Sequence, residues 1–325
     1  MLSSSRGPLA YLSMPLATLA IQVGLAAPIA AQPAQTLSAQ TCSNPNAIGV
    51  SRVVEIDTSG GPGFGSEHFN THDFLKQGEI VLTFDDGPWP GTTASVLSAL
   101  ESHCTKAIFF AIGKHATWHP EILKEVVAKG HTVGTHTWSH VDLSKLPPDK
   151  ATAEIEMGIS AVRRAIGDNV SPFFRFPALK HPTEMVKYAG QRNIGIWSTD
   201  IDSFDFKFTK KSDKLVPTLM AKLAKRGKGI LLMHDFQKST AGSIPELLAQ
   251  LKSGGYKIVQ VKAKGTIASK PEYDAQVVAQ LKGPAGIVSD RPTTSVVRTI
   301  SEAATTSATT TPQTAPTTPA APAKK

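Results

Sequence analysis

Residues 79–91 read EIVLTFDDGPWPG, an apolar run that ends in two adjacent aspartates, Asp85 and Asp86, before Gly87-Pro88 turns the chain. Neighbouring carboxylates repel one another, so the fold or a bound cation must have a use for both: the pair is either a surface turn or a base next to a metal ligand. Further along, THTWSH places His136 and His140 at i, i+4, a spacing that points two imidazoles the same way in a helix. One Asp with two His is a three-ligand set that leaves positions open for water and substrate. Zn2+ is the first expectation for such donors, and Co2+, Ni2+ or Fe2+ suit them as well. Alone, H-x3-H is a weak signal whose bland reading is a pair of solvated or capping histidines. Joined to the Asp-Asp pair, it becomes the expectation of a metal centre.

Other ionisable residues follow the same pattern of lying at the ends of apolar runs. Arg175 sits in one run, Asp200, Asp202 and Asp205 follow another, and His234-Asp235 closes a third. The runs span residues 79–84, 106–112, 131–135, 173–176, 194–199, 229–233 and 256–261, and amphipathic segments alternate with them. In HPEILKEVVAKG, Pro120 takes a first helical position, Ile122, Leu123, Val126 and Val127 share a face, and Gly130 stops the helix. In DKATAEIEMGISAVRRAIG, Ile155, Ile159, Val162 and Ile166 recur at helical spacing ahead of Gly167. Strands separated by helices imply parallel βαβ units. In an open, sequentially ordered sheet of strands ~4.8 Å apart, the first and sixth runs would lie about 24 Å from one another. Closing the sheet gathers the strand ends around one mouth, so residues that form one site imply a barrel.

TFDDGP (83–88), HTWSH (136–140), RFP (175–177), DSFDF (202–206) and LLMH (231–234) resemble, in that order, the five motifs of one family. It is the family of polysaccharide deacetylases similar to nodulation protein B, carbohydrate esterase family four, and the resemblance covers residues 78–262. It implies an α/β fold, a distorted (β/α)7 barrel, with a divalent metal. It also implies hydrolysis of the N-acetyl group of N-acetylglucosamine units, or of acetyl esters on some polymers. On the matching positions it implies Asp86, His136 and His140 as metal ligands and Asp85 as the catalytic base, with Arg175 as its orienting partner. His234 becomes the general acid, Asp205 the carboxylate that holds it, and Leu232 the lining for the acetyl methyl. An acetamide is a poor electrophile with a poor leaving group, so a Lewis acid, a base and an imidazolium each have a task in its hydrolysis.

Two motifs depart from the family pattern. The third continues as Pro177-Ala178-Leu179 where the family has an aromatic residue and a glycine. The backbone N–H of Ala178 still suits an oxyanion, and Pro177 and Ala178 are expected to contact substrate without an aromatic wall. In the fourth, Phe206 stands where a Trp is expected and keeps an aromatic contact for substrate.

The chain has 325 residues, 41% of them hydrophobic and 18% charged, which suits a globular protein with a substantial core. The net charge of +8 shows no Lys/Arg stripe interleaved with aromatics, so nucleic-acid binding is not expected. Attraction to an anionic envelope polymer is compatible with that charge. Residues 1–31 carry Arg6 ahead of an Ala/Leu-rich run that closes on small residues, the pattern of a signal peptide and of export to the periplasm or the exterior. Pro15, Gln22 and Pro28 interrupt the run, so no stable membrane span is expected. Residues 42–78 are expected as an N-terminal extension packed on the barrel, 79–270 as the catalytic domain, and 290–325 as a disordered Thr/Ala/Pro-rich tail. Cys42 and Cys104 either form one disulfide tying extension to domain or remain two buried thiols.

The remaining polar and aromatic residues carry blander readings. GGPGFG (60–65) lacks both a strand-to-helix context and a following Lys, and reads as a loop rather than a phosphate cradle. His68, His72, His115, His119 and His181 read as surface or capping histidines, and Asp200 and Asp235 as supporting or solvated groups. Trp118 and Trp138 suit either sugar stacking or packing. The functional expectation is an exported metal-dependent hydrolase that removes N-acetyl groups from GlcNAc-containing glycans, chitooligosaccharide or peptidoglycan. The same site would serve O-acetyl esters or a small amide, and a non-catalytic envelope glycan-binding protein is the reading from another class. Oligomeric state is not legible in the sequence.

Overall fold

The strands of the computed structural model, which describes residues 42–210 and 212–281, pair exclusively in parallel. In chain order they are β1 (Arg52–Ile56), β2 (Gly63–Phe64), β3 (Glu79–Asp85), β4 (Ile108–Ala111) and β5 (Thr132–Thr135). Then come β6 (Val170–Phe174), β7 (Gly195–Trp197), β8 (Ile201–Asp202), β9 (Gly229–His234) and β10 (Lys257–Ala263). The helices are α1 (Thr92–Ser102), α2 (Gly113–Trp118), α3 (Pro120–Ala128) and α4 (Pro148–Ile166). They continue as α5 (Thr183–Gln191), α6 (Leu215–Arg226), α7 (Lys238–Ser253) and α8 (Pro271–Leu281).

The seven runs legible in the sequence are β3, β4, β5, β6, β7, β9 and β10. The pairings β3–β4, β4–β5, β5–β6 and β6–β7 carry the sheet most of the way round. The chain then bends after Trp197 and resumes as β8, which pairs with β9, and β9 pairs with β3 to close the circuit. The result is the expected distorted barrel of the α/β class. β10 meets only the foot of β3, through Lys257 and Ile258 opposite Glu79 and Ile80, and carries β1 on its other edge. Residues 42–78 thus supply β1 and β2, which pair with β10 and β7. Arg52 on β1 grips Glu79 at the foot of β3 with two bonds of 2.8 and 2.6 Å. A disulfide joins Cys42 to Cys104 across 62 residues of sequence, fixing the segment before β1 to the end of α1.

Every residue of β3 is buried, because both faces of the strand are covered. Ile80, Leu82 and Phe84 pack outward with Leu97, Leu123, Val126, Ile155 and Leu248 of the helices. Val81 packs inward with Ile108, Phe110, Phe173, Trp197 and Ile230. The alternation makes Thr83 and Asp85 the next inward-facing positions toward the mouth. The two helices with clear sequence signals form as expected. Pro120 opens α3, and Gly130 follows it at φ +78°. Ile155, Ile159, Val162 and Ile166 form the buried stripe of α4, and Gly167 ends it at φ +63°. No helix among the described residues is long and apolar enough to cross a membrane. The expected signal peptide (1–31) and tail (290–325) lie outside the described residues.

Candidate active site

The parallel register sets the site. Asp85 is paired with Phe110 on β4 and with His234 on β9, so the carboxylate and the imidazole stand side by side at one level of the barrel. β3 ends at Asp85, and Asp86 takes φ +75°, a left-handed conformation that costs a non-glycine residue about 1 kcal/mol or more. That break in the strand's alternation turns both carboxylates into the same space, as the Asp-Asp-Gly-Pro sequence implies. His136 and Arg175 each follow the last residue of a strand, and their N–H groups donate to Ala111 and Thr135 of the neighbouring strands.

The helix that would align His136 with His140 does not form. Residues 136–140 make an open turn in which Thr137 and His140 have φ of +64° and +60°, and the His140 N–H donates to Thr137 Oγ1. The physical reason lies between the two histidines. Trp138 packs into a small core with Met157, Ala161 and Val277, which pulls the chain away from a helical path. The two rings still converge, with centroids 4.9 Å apart.

Asp86, His136 and His140 each offer a ligand atom, and these atoms lie within 4.8 Å of one another. Asp86 Oδ1 is 3.5 Å from His136 Nε2 and 3.3 Å from His140 Nε2. It is also a buried oxygen with no hydrogen-bond partner, the signature of a donor set completed by a cation. His136 Nδ1 lies 2.6 Å from the Arg175 carbonyl oxygen, which can only accept. Nδ1 therefore carries the proton, and the Nε2 lone pair faces Asp86. Burial holds the His136 imidazole below its usual pKa despite the pull of Asp85, so it is neutral as a ligand must be. The trio fits a divalent metal with nitrogen and oxygen donors.

Two charged pairs flank the trio. Arg175 is fully buried and makes four hydrogen bonds, to Asp85 Oδ1 (2.7 Å), Thr83 Oγ1 (2.7 Å), Ser198 O (2.8 Å) and Trp197 O (3.3 Å). With Oδ1 so engaged, Asp85 presents Oδ2 toward His136 Nε2 at 3.9 Å. On the other side Asp205, fully buried, accepts from His234 Nδ1 (2.7 Å), the His234 N–H (2.7 Å) and the Thr240 hydroxyl. Burial opposes the His234 imidazolium, but the Asp205 bond and the charges of Asp205, Asp86 and Asp85 outweigh it, lifting the pKa to about 9.

A cavity of about 640 Å3 opens over these groups, lined by Asp85, Asp86, His136, His140 and His234 together with Ala178, Phe206 and Leu232. Pro177 is buried and does not line it, serving to start the short turn that presents Ala178 at φ +52°. His68, a surface residue by its sequence, lines the cavity, with Nδ1 2.7 Å from Ser198 Oγ. His115 is also drawn to the site, with Nδ1 2.6 Å from the Asp86 carbonyl oxygen. Phe204 and Phe236 complete an aromatic lining, and the aromatic residues two places from Asp202 and His234 were its sequence signal. Asp200 holds Ser66 and the Ile230 N–H away from the cavity. Asp235 is fully buried beside Thr93, and burial lifts its pKa to about 7.

Residues 74–196 match the sequence model of the polysaccharide deacetylase family. Over 166 residues the chain is 31% identical to a chitooligosaccharide deacetylase of Bradyrhizobium sp., a match that covers 51% of this chain and 74% of that relative. The chain belongs to the polysaccharide deacetylase family. A second member, the peptidoglycan-N-acetylglucosamine deacetylase PgdA of Listeria monocytogenes, is 34% identical over 188 residues. That match covers 56% of this chain and 38% of the longer relative, so this deacetylase-family chain spans well under half of it. The solved structure of a Bdellovibrio bacteriovorus peptidoglycan deacetylase shares the fold with a TM-score of 0.60 at 33% identity, covering 66% of this chain and 59% of that one.

Proposed function

We propose that the protein is an exported, metal-dependent hydrolase that removes N-acetyl groups from glycans containing N-acetylglucosamine, with Asp85 as base and His234 as acid. The observation that carries this reading is the register pairing of Asp85 with His234, each held by its own oppositely charged partner, beside the Asp86–His136–His140 trio. A base and an acid with separate supports, next to a candidate cation site, are what amide hydrolysis requires. Names of similar proteins point to N-acetylated chitooligosaccharide or peptidoglycan as the substrate class. The apolar, Ala-rich start of the sequence supports export.

Asp86, His136 and His140 would hold the ion, Zn2+ before Co2+, Ni2+ or Fe2+. When bound, a divalent ion supplies Lewis acidity to the acetyl carbonyl and acidifies a water. The chain's own groups do the rest. Arg175 occupies Oδ1 of Asp85, so Oδ2 takes the proton as water oxygen bonds to the acetyl carbon. Ala178, Leu232 and Phe206 line the cavity, which supports the Ala178 N–H as donor to the oxygen that gains charge and Leu232 and Phe206 as contacts for the methyl and the sugar. Asp205 fixes the His234 proton on Nδ1, leaving Nε2–H to protonate the departing nitrogen as the C–N bond breaks. The products are acetate and the free amine. With its pKa raised to about 9, His234 is protonated at neutral pH, as this role demands.

Acetate release from N-acetylated chitooligomers and peptidoglycan strands, against O-acetylated polymers as comparison, tests the assignment. Release from the N-acetylated glycans supports it; release confined to O-acetyl esters, or none with metal bound, overturns it.

A further inference from the structure

The exposed Phe and Trp side chains among the described residues are three, and all lie at the barrel mouth. Trp118 is 55% exposed, Phe206 47% and Trp89 37%. Phe206 belongs to the cavity already described. The two tryptophans do not. They stand outside that cavity, on the loop after β3 and at the end of α2 after β4. Between them lies His115, its ring 5.0 Å from Trp89 and 5.2 Å from Trp118, with His119 5.7 Å from Trp89. The four rings form one continuous patch.

The patch is joined to the metal trio through Asp86. The Asp86 carboxylate lines the cavity while its carbonyl oxygen bonds His115 Nδ1 at 2.6 Å. A single residue thus marks the border between cavity and patch. Exposed apolar residues scattered singly are ordinary, whereas a contiguous exposed aromatic patch marks an interaction site. Indole faces present a wide apolar surface with few rotatable bonds, so little entropy is lost when a flat, rigid partner stacks on them. The apolar C–H faces of pyranose rings have this shape and chemistry.

We propose that Trp89 and Trp118, braced by His115, form a stacking subsite for a chain of β-linked N-acetylhexosamines, bordering the cavity at Asp86. A chain that reaches from the cavity onto this patch spans more than one sugar, so longer oligomers gain contacts that a dimer lacks. This deepens the deacetylase reading and rests on it for the identity of the glycan.

The test is steady-state acetate release from N-acetylated chitooligomers, from dimer to hexamer, and from peptide-free peptidoglycan strands. Wild type is compared with Trp118→Ala, Trp89→Ala and the conservative Trp89→Phe. Losing a well-packed aromatic anchor should raise KM for the hexamer about tenfold with far less change in kcat. The loss should shrink as the oligomer shortens, and Trp89→Phe should recover much of it. A loss on both polymers fits the shared chain chemistry, and a loss on one assigns the subsite to that polymer. Alanine variants with wild-type KM on every long substrate, or equal losses from dimer to hexamer, overturn the proposal. If wild type releases no acetate at all, the deacetylase reading fails, and calorimetric titration with chitohexaose judges the patch separately. Weaker hexamer binding in the alanine variants then upholds the subsite, and unchanged or undetectable binding rejects it.

Discussion

The main-chain oxygen of Arg175 lies 2.6 Å from Nδ1 of His136, while the guanidinium of the same residue bonds Asp85 at 2.7 Å. One residue therefore sets the tautomer of a candidate metal ligand and the orientation of the candidate base. It does so from the end of β6, where β5 and β6 release His136 and Arg175 together.

Replacing Arg175 separates these tasks. Arg175→Ala keeps the carbonyl but leaves Asp85 buried without its cation, so the metal-free protein should lose about 3–5 kcal/mol of stability. Arg175→Lys keeps a charge but not the planar fork that reaches Asp85, Thr83 and Ser198 at once, and should fall between. Denaturant midpoints of the chelated proteins check both, and an Arg175→Ala midpoint equal to wild type would rule out a supporting role.

His234 makes folding pH-dependent in a known direction. Its pKa is about 9 in the metal-free fold against ~6.5 in an unfolded chain, so the imidazolium stabilises the fold in full below about pH 6.5. That contribution is lost as pH rises through about 9. The melting temperature of chelated wild type should drop across this window, and Asp205→Asn should flatten the drop. The same substitution should move the alkaline limb of kcat/KM to lower pH, because the acid then loses its proton earlier. A limb unmoved by Asp205→Asn would show that another group supplies the proton.

The disulfide closes a 62-residue loop that includes β1, β2, β3 and α1. Loop-closure entropy gives it about 4 kcal/mol in a chain-entropy treatment. The double substitution Cys42→Ser with Cys104→Ser should lower the unfolding midpoint accordingly, and reductant should do the same to wild type but not to the variant.

The sequence carries the fold where periodicity is long. β3 and α4 bury continuous stripes that hydrophobic spacing reveals. β2 and β8 have two residues each, too few to show any period, and exist because β7 and β9 offer them an edge. The Asp85-Asp86 pair was legible because a strand end and a turn residue coincide there. His136 and His140 were found by a spacing whose helical rationale fails, since Trp138 dictates a turn instead. His68 and His115 read as surface or capping histidines in the sequence because their positions depend on contacts distant in sequence, with Ser198 and the Asp86 carbonyl.

The candidate metal ligands Asp86, His136 and His140 can be tested apart from turnover. His136→Ala should lose bound metal by elemental analysis, because one of three converging donors is gone. Retention of one full equivalent of metal would remove His136 from the ligand set.

The central claim meets its most direct test in Asp85→Asn, assayed for acetate release from an N-acetylated chitooligomer after chelation and reconstitution with Zn2+. Wild type should lose release on chelation and regain it with one equivalent of metal. Asp85→Asn should bind the same equivalent yet run about 10²- to 10⁴-fold slower, the contribution of a positioned base. Wild-type turnover by the metallated Asp85→Asn protein, or release that survives chelation, would contradict the account.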